Sequence, residues 1–159
     1  MRLTLRRQVR ELYSRRCGYC GISELDNGAE LTVDHFQPQV AQGTDALENL
    51  VYCCHACNGF KGEFWNPDPQ AILRLLHPLR DNLTEHFVES ETGELVALTE
   101  TAGFHIETLH LNRPQLVGHR LRLRQNERIA RENLAFREQI EAYEEELRSL
   151  IERLRRTTS

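Results

Sequence analysis

The sequence predicts an α+β chain: a strand–loop–strand–helix core, then a short hairpin and a long C-terminal helix. Three observations carry that prediction. Two Cys-x-x-Cys pairs, Cys17/Cys20 in "RRCGYCG" and Cys54/Cys57 in "VYCCHACNGFKG", flank two short β-like runs. A Glu91-Thr92-Gly93 turn separates "HFVES" from "ELVALT" in the manner of a β-hairpin. From about residue 115 to residue 156 the chain reads as one helix, opened by Pro114 at a position where proline is favoured.

Each element has its own local reason. Residues 3–16 place apolar Leu5, Val9 and Leu12 at helical spacing, with arginines on the other faces. The glycines of "CGYCG" allow a tight knuckle whose amides can surround a metal-bound sulfur. Asp26-Asn27-Gly28 signals a turn. In "AELTVDHF" the alternation puts Leu31 and Val33 on one side of a strand and Thr32 and Asp34 on the other. The segment "QPQVAQGTDALENL", with Pro38 and Gly43, reads as a loop, "LVYCC" as a second strand, and "CHACNGFKGEF" as a knuckle entering a helix. A short helix is expected over residues 67–78, which include Ile72, Leu73, Leu75 and Leu76.

Length and composition set the bounds. The 159 residues, 40% apolar and 28% charged, suit a soluble protein of one domain or of a small domain with an appendage. The expected division is a core at residues 1–66, a helix-and-hairpin extension at 67–118 and the long helix at 119–159. A core of that size usually needs a staple. Two Cys-x-x-Cys hooks a few dozen residues apart read as a structural four-Cys zinc site, Zn²⁺ being held by Cys17, Cys20, Cys54 and Cys57. Cys53 is the spare, expected to be buried as a small apolar residue. With four of five cysteines paired in this way and no charged leader followed by an apolar stretch, the expected setting is a reducing cytoplasm. No apolar run approaches the roughly 18 residues of a membrane span.

The net charge of −4 conceals two basic segments. Residues 1–20 hold six arginines (2, 6, 7, 10, 15 and 16) against Glu11, and residues 113–137 hold seven against Glu127 and Glu132. Each is either an ordinary solvated helix face or a nucleic-acid contact. The last helix carries Ile129, Asn133, Phe136, Ile140, Tyr143, Leu147, Leu150 and Leu154 at alternating steps of four and three. That seam fits either a helix packed along its own domain or a homodimeric coiled coil with Asn133 fixing the register.

The segment "VDH…ENL…CNGFKG" resembles the HNH endonuclease family, whose ββα-metal core carries a histidine at the end of the first strand. An asparagine stands before the second strand, and a His or Asn lies in the helix. His35, Asn49 and Asn58 match these positions, giving an H-N-N variant of the zinc-stapled branch. The resemblance covers about residues 17–62. It implies a nuclease that hydrolyses DNA phosphodiesters, with His35 as the general base. Asp34 and the side-chain oxygen of Asn58 are hard ligands suited to one catalytic Mg²⁺ or Mn²⁺. One carboxylate and one amide make a modest site. Asn49 either holds the loop and orients His35, as the family implies, or is a simple loop turn. Lys61, the only lysine in the chain, either contacts the phosphate or is an exposed helix residue. A wedge of this kind contacts the DNA backbone, so sequence preference would come from an arginine-rich segment or a partner protein. The competing class is a non-catalytic, zinc-stabilised nucleic-acid-binding module, which has no use for Asp34, His35 and Asn58 together.

Overall fold

The computed structural model describes residues 3–157. They divide into two compact units, Met1–His119 and Arg120–Ser159. The first opens with helix α1 (Leu3–Leu12), which buries Val9 and lays Leu5 against the core. The helix stops earlier than its apolar spacing suggests. Ser14 and Arg15 take left-handed backbone angles (φ 51° and 59°), and Tyr13 rather than Leu12 turns inward. A four-residue helix, α2 (Glu24–Asn27), occupies the expected turn; Ser23 caps its start and Gly28 its end.

Strands β1 (Thr32–His35) and β2 (Leu50–Cys53) pair antiparallel, with Asp34 opposite Val51 and His35 opposite Leu50. All four β2 residues are buried, since α1 packs on β2 while α3 (His55–Lys61) packs against β1. Side-chain hydrogen bonds lock this layer. Tyr52 Oη accepts from the Leu31 amide at 3.0 Å and donates to Glu24. Glu24 in turn takes two 2.6 Å bonds from Arg10, whose guanidinium holds the carboxyl down at about 2. Cys53 is fully buried, and burial pushes its thiol up.

The helix expected over residues 67–78 is absent. Pro67, Pro69 and Pro78 break the backbone ladder, and the Asp68 carboxylate accepts the Gln70 amide at 2.8 Å, closing a local turn instead. The segment still buries Leu75 and Leu76. After the short α4 (Leu83–His86) comes the anticipated hairpin, β3 (Phe87–Glu89) with β4 (Leu95–Ala97). Next is a helix with no counterpart in the sequence reading, α5 (Glu100–Thr108). Thr99 caps it by accepting the Ala102 amide, and it buries Ala102, His105 and Ile106.

Helix α6 (Pro114–Thr157) begins within the first unit, where Leu116 is buried. In the second unit the seam residues Ile129, Phe136, Ile140, Tyr143, Leu147 and Leu150 are all exposed, from 42% to 63%. The side chain of Leu154 lies outside the described residues. No helix among the described residues is long and apolar enough to cross a membrane. The architecture is mixed α and β, with two small hairpins, a long C-terminal helix and the four paired cysteines drawn together.

Candidate active site and zinc centre

The two knuckles converge. The sulfurs of Cys17, Cys20, Cys54 and Cys57 all lie within 4.8 Å of one another, with Cys20 and Cys54 at 3.8 Å. A tetrahedral zinc with bonds of about 2.3 Å sets its sulfurs roughly 3.8 Å apart, so the quartet fits that ion. The chain builds the site from two similar turns. The amide of Cys20 donates to Cys17 Sγ at 3.4 Å, and that of Cys57 donates to Cys54 Sγ at 3.5 Å, Cys54 being the N-cap of α3. A side chain at position 18 would meet the Tyr13 ring at 2.5 Å, which is why the first knuckle carries glycine there. Sulfurs this close share protons. Hydrogen bonds from Cys17 and Cys20 pull the Cys54 thiol well below its ordinary range, while the same crowding pushes Cys57 and Cys20 up. A dication among them removes that conflict. His55, between the second pair, is exposed.

On the other side of α3 a cleft of about 280 Å³ is lined by Asp34, His35, Val40, Asn58 and Glu63. Strand β1 delivers the first two, and the second turn of α3 delivers Asn58. Asp34 is 8% exposed. Burial pushes its carboxyl up, opposed by the Lys61 charge and by a 2.8 Å bond from Tyr19 Oη. Tyr19 and Lys61 leave the carboxylate with acceptor capacity for a cation in the cleft that it lines. A larger cleft of about 380 Å³ includes Phe36, Trp65 and Arg74, but of the H-N-N set it contains only Asn49. His35 and Asn58 both line the smaller one.

His35 has a partner that the sequence did not single out. Its Nε2 lies 2.8 Å from Asp45 Oδ1, across the loop between the strands. With Nε2–H donated to the carboxylate, Nδ1 carries the lone pair. The only sequence signal for Asp45 is an acid in that loop, which ordinary turn chemistry explains equally well.

Asn49 stands behind the same loop with its amide fully engaged. Its Oδ1 accepts the Gln37 amide at 2.8 Å, and its Nδ2 donates to the carbonyls of Gln37 at 3.1 Å and Thr44 at 2.9 Å. This is a brace across residues 37–44, well beyond a simple turn. The extension supports it from outside, because the Glu48 carbonyl accepts from His77 Nε2 at 3.1 Å and from Arg80.

Lys61 is neither exposed nor presented to the cleft. Its side chain is fully buried, with Nζ 3.1 Å from Asp34 Oδ2 and 2.9 Å from the His35 carbonyl. From that position it reaches a phosphate only by leaving Asp34. In the first basic segment Arg6 and Arg10 are turned to bracing the core, while Arg7, Arg15 and Arg16 are exposed. Arg6 donates to the Leu31 carbonyl at 2.7 Å, Arg10 grips Glu24, Arg15 pairs with Glu11 at 3.1 Å and Arg16 donates to the Gly21 carbonyl. Arg2 lies outside the described residues. Arg128 and Arg131 pair along α6 with Glu132 and Glu127, each at 3.6 Å.

Comparison with known proteins singles out this core. Residues 17–64 match the family model described as HNH endonuclease. Over 48 residues the chain is 44% identical to the CRISPR-associated endonuclease Cas9 of Corynebacterium diphtheriae. That match covers 30% of this chain and 4% of the relative, so the chain spans only a small part of the curated protein it matches. No solved structure matches the chain. The matched stretch begins at the first knuckle cysteine and ends just past Lys61, taking in both knuckles, β1, β2 and α3, and residues 17–64 form a domain of the HNH endonuclease family.

Proposed function

We propose that this chain is a metal-dependent endonuclease that hydrolyses DNA phosphodiester bonds in the Asp34–His35–Asn58 cleft. The observation that carries the reading is the convergence of these three side chains on one opening, with His35 held from behind by Asp45. His35 Nδ1 takes the proton of the attacking water, and Asp45 holds the ring in the tautomer that leaves Nδ1 free. Asp34 and Asn58 would hold the catalytic Mg²⁺ or Mn²⁺, which would supply Lewis-acid polarisation of the phosphate and offset charge on the leaving oxygen. Asn49 keeps the loop bearing Asp45 at its distance from His35. Lys61 and Tyr19 set the direction of the Asp34 carboxylate, and Lys61 meets the phosphate only if it gives up that position. DNA as substrate rests on the resemblance to the HNH endonuclease family; the Cas9 relative, itself an endonuclease, supports nuclease chemistry.

Backbone chemistry of this kind supplies little sequence preference. Preference would come from arginines outside the core or from a partner protein. One active site per chain makes paired cutting depend on a second copy, which the seam of α6 would recruit. The deciding experiment is cleavage of supercoiled plasmid with Mg²⁺ or Mn²⁺ by wild type and His35→Ala, with an EDTA control and an RNA arm. Open circles or linear products from wild type alone support the reading. A folded wild type that binds DNA but never cuts it, with either metal, favours the binding module instead.

A further inference from the structure

Arg113 lies about fifty residues beyond the end of the HNH core, yet its guanidinium reaches the zinc centre. Its Nη2 is 3.6 Å from Cys57 Sγ and 3.9 Å from Cys54 Sγ. Its Nη1 donates to the carbonyls of Leu109 and His110, both at 3.2 Å. The plane is held from the side by Phe60, whose ring centroid is 5.5 Å away and which also contacts the His110 ring. The guanidinium is therefore fixed on three sides, with one nitrogen directed at sulfur.

The charge at that point explains why a cation is useful there. Four thiolates around a dication carry two net negative charges, and Cys54 and Cys57 are 4% and 0% exposed. Buried excess charge is costly unless donors or counter-charges meet it. The knuckle amides meet part of it, and Arg113 brings a full positive charge to within 3.6 Å of Cys57 Sγ.

We propose that Arg113 is an outer-sphere, charge-compensating residue of the zinc centre, donating N–H···S bonds to the Cys54 and Cys57 thiolates and so controlling zinc retention and the reactivity of those two sulfurs. The inference rests on the four-Cys zinc reading and is independent of whether the cleft cuts DNA. It also gives the segment before α6 a task, since the contact ties that segment to the core.

The rival role for Arg113 is simply to close the turn at Leu109 and His110, which uses Nη1 alone. The two roles separate in one set of measurements on the full chain. Wild type, Arg113→Lys, Arg113→Gln and the control Arg74→Gln, which breaks a comparable pair with Asp81, are loaded with zinc and checked for one ion per chain. Zinc transfer to a chromogenic chelator is then timed, and the sulfur-to-metal charge-transfer band is recorded on the cobalt-substituted proteins. Arg113→Gln should release zinc about tenfold faster or more, and its cobalt band should move to lower energy, because sulfurs stripped of N–H donors give up electrons more readily. Arg113→Lys should fall between, and Arg74→Gln should match wild type in both. A folded Arg113→Gln with wild-type release and band overturns the proposal. If Arg113→Gln does not fold, Arg113→Lys decides, and wild-type behaviour there overturns it. A wild type that takes up no zinc refutes the four-Cys reading itself.

Discussion

The chain's only lysine is spent on Asp34: Lys61 Nζ sits 3.1 Å from Asp34 Oδ2 with its side chain wholly buried. A buried carboxylate robbed of its counter-charge is expensive, and burial already pushes the Asp34 carboxyl up. Lys61→Met should therefore cost about 3 kcal/mol in denaturant unfolding. The double variant Asp34→Asn/Lys61→Met should recover part of that loss, because no unpaired charge remains. Equal losses in the single and double variants would show that packing of the lysine stem, and not the pair, is what matters.

Asp45 gives the cleft a test that leaves the fold alone. Its side chain is 55% exposed and touches the site only through His35 Nε2. His35→Ala should lose the roughly 10²–10⁴-fold contribution of a general base. Asp45→Asn should lose about tenfold in the cleavage rate constant at unchanged melting temperature, since an amide can still bond the ring but fixes its tautomer poorly. An unchanged rate would remove Asp45 from the mechanism.

Two buried histidines make stability depend on pH in a defined window. His105 and His77 are 1% and 3% exposed, and burial lowers each from 6.5 to about 4. Both accept a backbone amide at Nδ1, from Leu76 at 3.1 Å and from Leu79 at 3.2 Å, which a protonated ring cannot do. The unfolded chain therefore takes up protons first as pH falls. The stability contributed by the neutral rings is complete above about pH 6.5, drains away toward pH 4, and amounts to roughly 3 kcal/mol for each ring. Denaturant midpoints between pH 7.5 and pH 4 should fall accordingly. His105→Gln, which keeps an acceptor for Leu76, should flatten part of that slope.

Gly43 controls the loop that Asn49 braces. A Cβ there would stand 1.7 Å from the Gln37 carbonyl oxygen, so no side chain fits without moving the strand exit. Gly43→Ala should shift the Asp45 segment and abolish most cleavage with only a modest loss of melting temperature. Asn49→Ala should do the same by removing three hydrogen bonds. Cleavage at the wild-type rate in both variants would mean that the loop geometry is irrelevant to the reaction.

What could be read from the residues, and what could not, follows from the range of each interaction. Cys-x-x-Cys spacing, the run into His35 and the helix bearing Asn58 are local patterns, and the folded core keeps them. The fate of Lys61 depends on Asp34, 27 positions away, and a lone lysine late in a helix gives no hint of an inward turn. The arginines of α1 read equally as a solvated face or a contact surface because the partners of Arg6 and Arg10, Glu30 and Glu24, are distant in sequence. Helix α5 was hidden by Gly103 in its middle and by the β-like "LVALT" just before it. Over residues 67–78 the apolar spacing misled, since three prolines overrode it.

The seam of α6 makes the last prediction, and its polar residue sharpens it. Placing Phe136, Tyr143 and Leu150 at d positions sets Asn133, Ile140 and Leu147 at a. In a parallel pair Asn133 meets its own copy, and Glu132 at g faces Arg137 at e of the other chain, a favourable contact repeated on both sides. An exposed apolar stripe of this length on one helix is otherwise a liability. The chain, 18.5 kDa by mass, should therefore sediment as a dimer. Leu147→Glu should return it to the monomer, and Asn133→Leu should relax the register or admit higher oligomers. The products should change with the mass: nicked circles from the Leu147→Glu monomer where the dimer gives linear plasmid. A wild type that sediments at the monomer mass at micromolar concentration would deny the seam this role and leave each chain a nicking unit.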